Sequence, residues 1–76
     1  MIVVNYINME IFAKRLYELR TEKGLTLSAV AKAVGITRQS VKRYEDNHSQ
    51  PSMEILSKLA DLFGVSTDYL YGRTDI

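Results

Sequence analysis

Apolar residues recur along this chain at helical intervals, in runs punctuated by glycine, proline and capping hydroxyls. Phe12, Leu16 and Leu19 stand at i, i+4 and i+7, which places them along one side of a helix. That spacing predicts a first helix over residues 9–23, with Asn8 as its cap and Gly24 as its stop. Val30, Ala31 and Val34 form the apolar stripe of a second helix, capped by Thr26 and broken by Gly35. Thr37 caps a third, residues 37–45, in which Val41 and Tyr44 share a side. A polar loop over residues 46–50 follows, where Asn47 tolerates the left-handed conformation that closes helices. Ser52 caps a fourth helix over residues 53–63, with Ile55, Leu56, Leu59, Leu62 and Phe63 inward and Gly64 at its end. Ser66 caps a final turn holding Asp68, Tyr69, Leu70 and Tyr71, apolar enough for a core or an interface. The fold class is all-α. Residues 1–8, MIVVNYIN, carry no charge and are rich in β-prone side chains, so they read as a short strand or extended arm.

Composition narrows what such a helical chain can do. Seventy-six residues make one domain at most, with a thin core that depends on good helix packing or association. There is no cysteine, hence no disulfide, no thiol nucleophile and no cysteine-rich zinc site. His48 is the single histidine, and without a second soft ligand no metal centre is expected. No glycine-rich phosphate loop or acid–base constellation is present, so no enzyme activity and no cofactor are expected. The longest apolar run is too short to span a membrane and lacks the flanks of a signal peptide, which suits a cytoplasmic protein.

The net charge of +1 conceals a strong polarity. Residues 9–43 hold eight lysines and arginines against three glutamates, a net of +5; residues 44–76 hold two against six acids, a net of −4. The basic half contains the second and third helices. A domain so divided can offer one face to a polyanion and turn the other away.

The third helix concentrates the chemistry. At about 100° per residue, setting Arg38 at zero puts Lys42 at roughly 40°, Gln39 at roughly 100° and Arg43 at roughly 140°, while Tyr44 and Val41 fall at roughly 240° and 300°. Long polar side chains fill one side and apolar ones the other. Two arginines, a lysine and a glutamine on a free helix face are the groups that reach base edges and phosphates in a DNA major groove. The same face could also be merely solvated.

The run Leu16, Leu19, Arg20, then Gly24-Leu25-Thr26, then Ala31, Gly35-Ile36-Thr37, then Pro51-Ser52, then Leu56, Leu59-Ala60, and finally Gly64-Val65-Ser66, Asp68 and Leu70 resembles the lambda-repressor and Cro-like helix-turn-helix family, often called XRE. The likeness covers residues 9–72, and the short motifs occur in order at compatible spacing. It implies a compact five-helix DNA-binding domain over residues 9–76, preceded by the arm over residues 1–8. It implies a sequence-specific transcriptional regulator, a repressor, reading double-stranded DNA as a homodimer on an inverted repeat. Arg38, Gln39 and Arg43 then become the base readers, and Lys42, Ser28, Thr37, Asn47 and His48 the phosphate contacts. Arg20 and Glu45 match family positions that commonly pair and brace the third helix. The family commonly carries a phosphate-binding glutamine where this chain has Leu27, so that contact is in question, with Ser28 as a substitute. Met9 opens a typical family N-terminus, so residues 1–8 could be a dimerisation arm or an accident of start-codon choice. Tyr69, Tyr71 and Ile76 are the other candidate dimer contacts. No small-molecule ligand is implied. The alternative function is an antitoxin or protein-interaction module on the same fold.

Overall fold

The computed structural model describes residues 4–76, with side chains from Glu10 onward. The chain forms five helices: α1 Val4–Glu22, α2 Leu27–Val34, α3 Arg38–Glu45, α4 Met53–Phe63 and α5 Thr67–Leu70. Four of them start on a hydroxyl that accepts a hydrogen bond from the backbone three residues on: Thr26 from Ala29, Thr37 from Ser40, Ser52 from Ile55 and Ser66 from Tyr69. Each cap satisfies an amide that the helix itself cannot and fixes where that helix begins. After α3, Asn47 takes φ 61°, and the amides of Asn47 and His48 reach back to the carbonyls of Tyr44 and Arg43. Asparagine thus closes this helix as glycine closes others.

The N-terminal expectation is corrected. Met1–Val3 lie outside the described residues, but from Val4 to Asn8 the backbone is helical, not an extended arm, and Asn8 lies inside α1 instead of capping it. No glycine or proline interrupts residues 4–22, so a helix anchored by buried Phe12 and Leu16 can propagate backwards through them. Strand preference is a weak prior without a partner strand to pair with. The proposed division between residues 8 and 9 therefore falls within a helix.

Phe12, Leu16, Val30, Val41, Leu56, Leu59 and Leu70 are fully enclosed, so every helix contributes to one core. Truncating any of these leucines to alanine would cost about 2–5 kcal/mol. α2 and α3 pack on each other, α1 lies against α3 and α5, and α4 supports α2 and α5. Tyr44 and Tyr71 both set their rings against Phe12, at 6.1 and 5.5 Å between centroids.

The C-terminal turn is tied back to α1. The Arg15 guanidinium lies 4.1 Å from the centroid of the Tyr69 ring, donates to the carbonyls of Tyr69 and Thr74, and approaches Asp75 at 3.6 Å. Gly72 has φ +77°, and a Cβ there would sit 2.8 Å from both Cγ2 and Cδ1 of Ile11. The apolar residues of this turn therefore divide: Leu70 is core, Tyr71 packs on Phe12, Tyr69 lies under Arg15, and Ile76 is exposed.

Candidate nucleic-acid interface

The turn between α2 and α3 is short because Gly35 reverses the chain in one step. Its φ of +80° lies where an L side chain is strained, and the amides of Gly35 and Ile36 both donate to the Ala31 carbonyl at 2.9 Å. Thr37 then restarts the helix. Its hydroxyl accepts from the Ser40 amide at 3.1 Å and shares a 2.9 Å hydrogen bond with the Ser40 hydroxyl. On the inner side of α3, Val41 and Tyr44 are buried against the core. That burial sets the helix's rotation and leaves its opposite side outward.

Arg38, Gln39, Lys42 and Arg43 are all exposed and together line one shallow surface groove. The structure therefore brings the three candidate base readers and one candidate phosphate contact onto a single face. Arg38 and Gln39 lie in the first turn of α3, with Lys42 and Arg43 one turn on. The Lys42 ammonium bonds Asp46 at 2.8 Å, and Arg43 Nη2 donates to the His48 carbonyl at 3.4 Å. Asn47 and His48 are exposed in the loop at the far end of that helix. Ser28 is exposed in the first turn of α2, on the other limb of the motif.

Behind this face, Arg20 and Glu45 meet side on. Nε and Nη2 of Arg20 donate to the two Glu45 carboxylate oxygens at 2.6 and 3.0 Å, and Nη1 donates to the Leu25 carbonyl at 2.9 Å. The hydrogen bond to Glu45 raises the arginine's pKa further above its already high ordinary value, outweighing the opposite effect of burial. One end of α1, the chain leading into α2 and the end of α3 are thereby joined through one guanidinium.

Two features of the site were not drawn from the sequence. Leu27 packs against the core cluster while remaining partly exposed. Asp46 turns its carboxylate onto the polar face of α3, and extending the helical wheel by one residue would have revealed it, at roughly 80° among the cations.

A family model described as helix-turn-helix, HTH_3, matches residues 16–70. This chain belongs to that helix-turn-helix family. Among curated relatives, it is 42% identical over 63 residues to an uncharacterized HTH-type transcriptional regulator, YonR, of an SPbeta prophage in Bacillus subtilis, covering 83% of this chain and 58% of that protein. The chain spans about half the length of the curated relatives it matches. Among solved structures, it superposes on the P22 c2 repressor, crystallised with a synthetic operator, with a TM-score of 0.77 at 25% identity, covering 79% of this chain and 91% of that one. The restriction-modification controller protein C.AhdI of Aeromonas hydrophila gives a TM-score of 0.76 at 32% identity, covering 83% and 96%. The match runs from α1 to α5 and so contains α2 and α3, and the fold is that of lambda-repressor-like domains. No helix among the described residues is long and apolar enough to cross a membrane.

Proposed function

We propose that this chain is a sequence-specific DNA-binding transcriptional regulator, acting as a repressor, that lays α3 in the major groove. The observation that carries the proposal is the outward face of α3, where Arg38, Gln39, Lys42 and Arg43 stand exposed on a helix whose other side is locked into the core. Residues at the start of a recognition helix enter the groove most deeply, so Arg38 and Gln39 read base edges and Arg43 joins them one turn on. Lys42, Ser28, Thr37, Asn47 and His48 meet the phosphates that flank the groove. Thr37 and the first amides of α3 are close in sequence to the base readers, so backbone and base contacts come from the same turn. The domain that does this is the five-helix body from α1 to α5; it works in the cytoplasm, on DNA, without a cofactor and without catalysing a reaction.

The active species is a homodimer. A single helix of eight residues makes few base contacts, and pairing two copies on inverted half-sites roughly 34 Å apart doubles them. Similarity to a repressor crystallised with its operator supports the DNA partner.

A second reading, an antitoxin or other protein-interaction module, has one observation in its favour: Leu27 packs inward where the family commonly offers a glutamine to phosphate. One experiment separates the two. Selection of bound sequences from a random duplex pool should return a single motif with dyad symmetry, and retention on that DNA should fall steeply with salt. Recovery of no enriched sequence, with salt-insensitive capture of a protein instead, would favour the second reading.

A further inference from the structure

The recognition face carries an anion of its own. Asp46 follows the last residue of α3, and its carboxylate lies 2.8 Å from Lys42 Nζ, one turn back on the same face that bears Arg38, Gln39 and Arg43. Both side chains are substantially open to solvent, at 55% for Lys42 and 39% for Asp46, so the pair is held at the surface the DNA would approach. The backbone fixes the carboxylate there: the Asp46 amide donates to the Lys42 carbonyl at 2.9 Å, and the turn closed by Asn47 begins at the next residue. The hydrogen bond from Lys42 also holds the Asp46 carboxyl below the usual carboxylate range.

Resting on the DNA-binding reading above, we propose that Asp46 is a masking group on the DNA-binding face that acts through Lys42: it cancels the lysine's charge on unselected DNA and yields it to a phosphate only where the base contacts of Arg38, Gln39 and Arg43 hold the helix in place. Non-specific binding depends almost wholly on the cations that displace counterions from phosphate. A paired lysine displaces none until its carboxylate lets go, and that carboxylate is itself repelled by the backbone. On unselected DNA the pair stays closed and the lysine's phosphate contact is forgone; at a cognate site the base contacts hold Lys42 against a phosphate, and the cost of opening the pair is met there. Asp46 thus holds down non-specific binding and its dependence on salt.

The test uses the full chain, a random-sequence 20-base-pair duplex and the duplex recovered by selection, with affinity followed from 50 to 200 mM salt. Asp46→Asn should bind the random duplex severalfold more tightly at 50 mM salt, with a salt slope steeper by about 0.9, so that the gain shrinks by about 3.5-fold across the range. On the selected duplex, where Lys42 already meets phosphate, the salt slope should stay that of the unmodified chain while the affinity rises. Adding Lys42→Ala should return the random-duplex slope to that of the unmodified chain. Asp61→Asn makes the same change in net charge at an exposed position on α4 and should not reproduce the gain. An unchanged random-duplex affinity in Asp46→Asn, or an equal gain in Asp61→Asn, overturns the proposal while leaving DNA binding intact. Failure of the unmodified chain to bind either duplex at 50 mM salt overturns both readings together.

Discussion

Arg20 and Glu45 form a two-pronged ion pair, at 2.6 and 3.0 Å, with only 14% and 5% of their side chains exposed. They are 25 residues apart, and the pair connects α1 to the end of α3 at the point where the recognition helix leaves the core. Arg20 also holds the Leu25 carbonyl, so the chain entering α2 is set by the same side chain. Because the pair is largely withdrawn from water, removing one partner strands the other. Arg20→Met or Glu45→Gln alone should cost about 3–5 kcal/mol, much of what a domain this small has. The double variant should recover part of that loss. A double-mutant cycle by urea denaturation measures it, and a coupling energy near zero would show that packing alone sets the angle of α3.

On the outer face of the same helix the expectation reverses, because exposed side chains contribute little to stability. Arg38→Ala and Gln39→Ala should leave the denaturation midpoint within about 0.5 kcal/mol of the unmodified value. Each should relax preference at one base position by about 1–3 kcal/mol of discrimination. Repeating the random-pool selection with each variant checks this, and an unaltered motif from the Arg38→Ala/Gln39→Ala chain removes both residues from the readout.

Much of this arrangement was legible in the sequence, for local reasons. Thr26, Thr37, Ser52 and Ser66 cap helices through bonds that span three residues, and the stripes of α2 and α4 repeat at helical spacing, so both can be read without knowing the tertiary fold. The start of α1 was not legible. Val4 to Asn8 favour strands by side-chain type, yet no strand exists among the described residues to pair with them, and the helix anchored at Phe12 runs through them. Tyr69 and Tyr71 were equally ambiguous, since core and interface ask for the same residues. Their fates depend on Arg15 and Phe12, more than fifty positions away.

Those two fates bear on how copies would pair. With Tyr71 committed to Phe12 and Tyr69 to Arg15, the tail offers chiefly Ile76 to a partner, whereas residues 1–8 are uncharged and rich in apolar side chains. Deleting residues 1–8 should therefore abolish self-association while leaving the fold, because the α1 anchors Phe12 and Leu16 remain. Sedimentation and circular dichroism of the shortened chain report the two separately. A shortened chain that stays dimeric assigns the interface to the tail.

Alkaline pH should weaken the core from within. Burial pushes the phenols of Tyr44 and Tyr71 above their ordinary value of 10.0, and the two rings flank Phe12. Below pH about 10 both are neutral whether the chain is folded or not, and their share of stability is complete. As the pH climbs further the unfolded chain ionises first, so stability falls through the range up to the folded-state values. Phenolate absorbance should rise later in the native chain than in denaturant, and the urea midpoint should drop over the same interval. Coincident titration curves would mean that neither ring is shielded.

Leu27 offers the sharpest separation of fold from function, because its packing and its expected absence from the DNA contacts have one cause. It stands at the first position of α2 and packs, partly exposed, against the core, at the position where the family resemblance implies a glutamine on phosphate. Leu27→Gln should lose about 1 kcal/mol of stability, since only part of the leucine's surface leaves water on folding. In return the amide can donate to a phosphate oxygen, and a hydrogen bond to a charged group of about 1.4 kcal/mol would raise affinity about tenfold. A neutral amide releases no counterion. The gain should therefore appear as a constant offset in log K across salt concentrations, unlike the altered slope expected of a change at Lys42, or at Asp46 on the random duplex. Salt titrations of the variant on the selected duplex, with urea denaturation alongside, give both numbers. A loss of stability with no gain in affinity would mean that α2 does not approach the DNA backbone through this position, and would shift weight to Ser28 beside it.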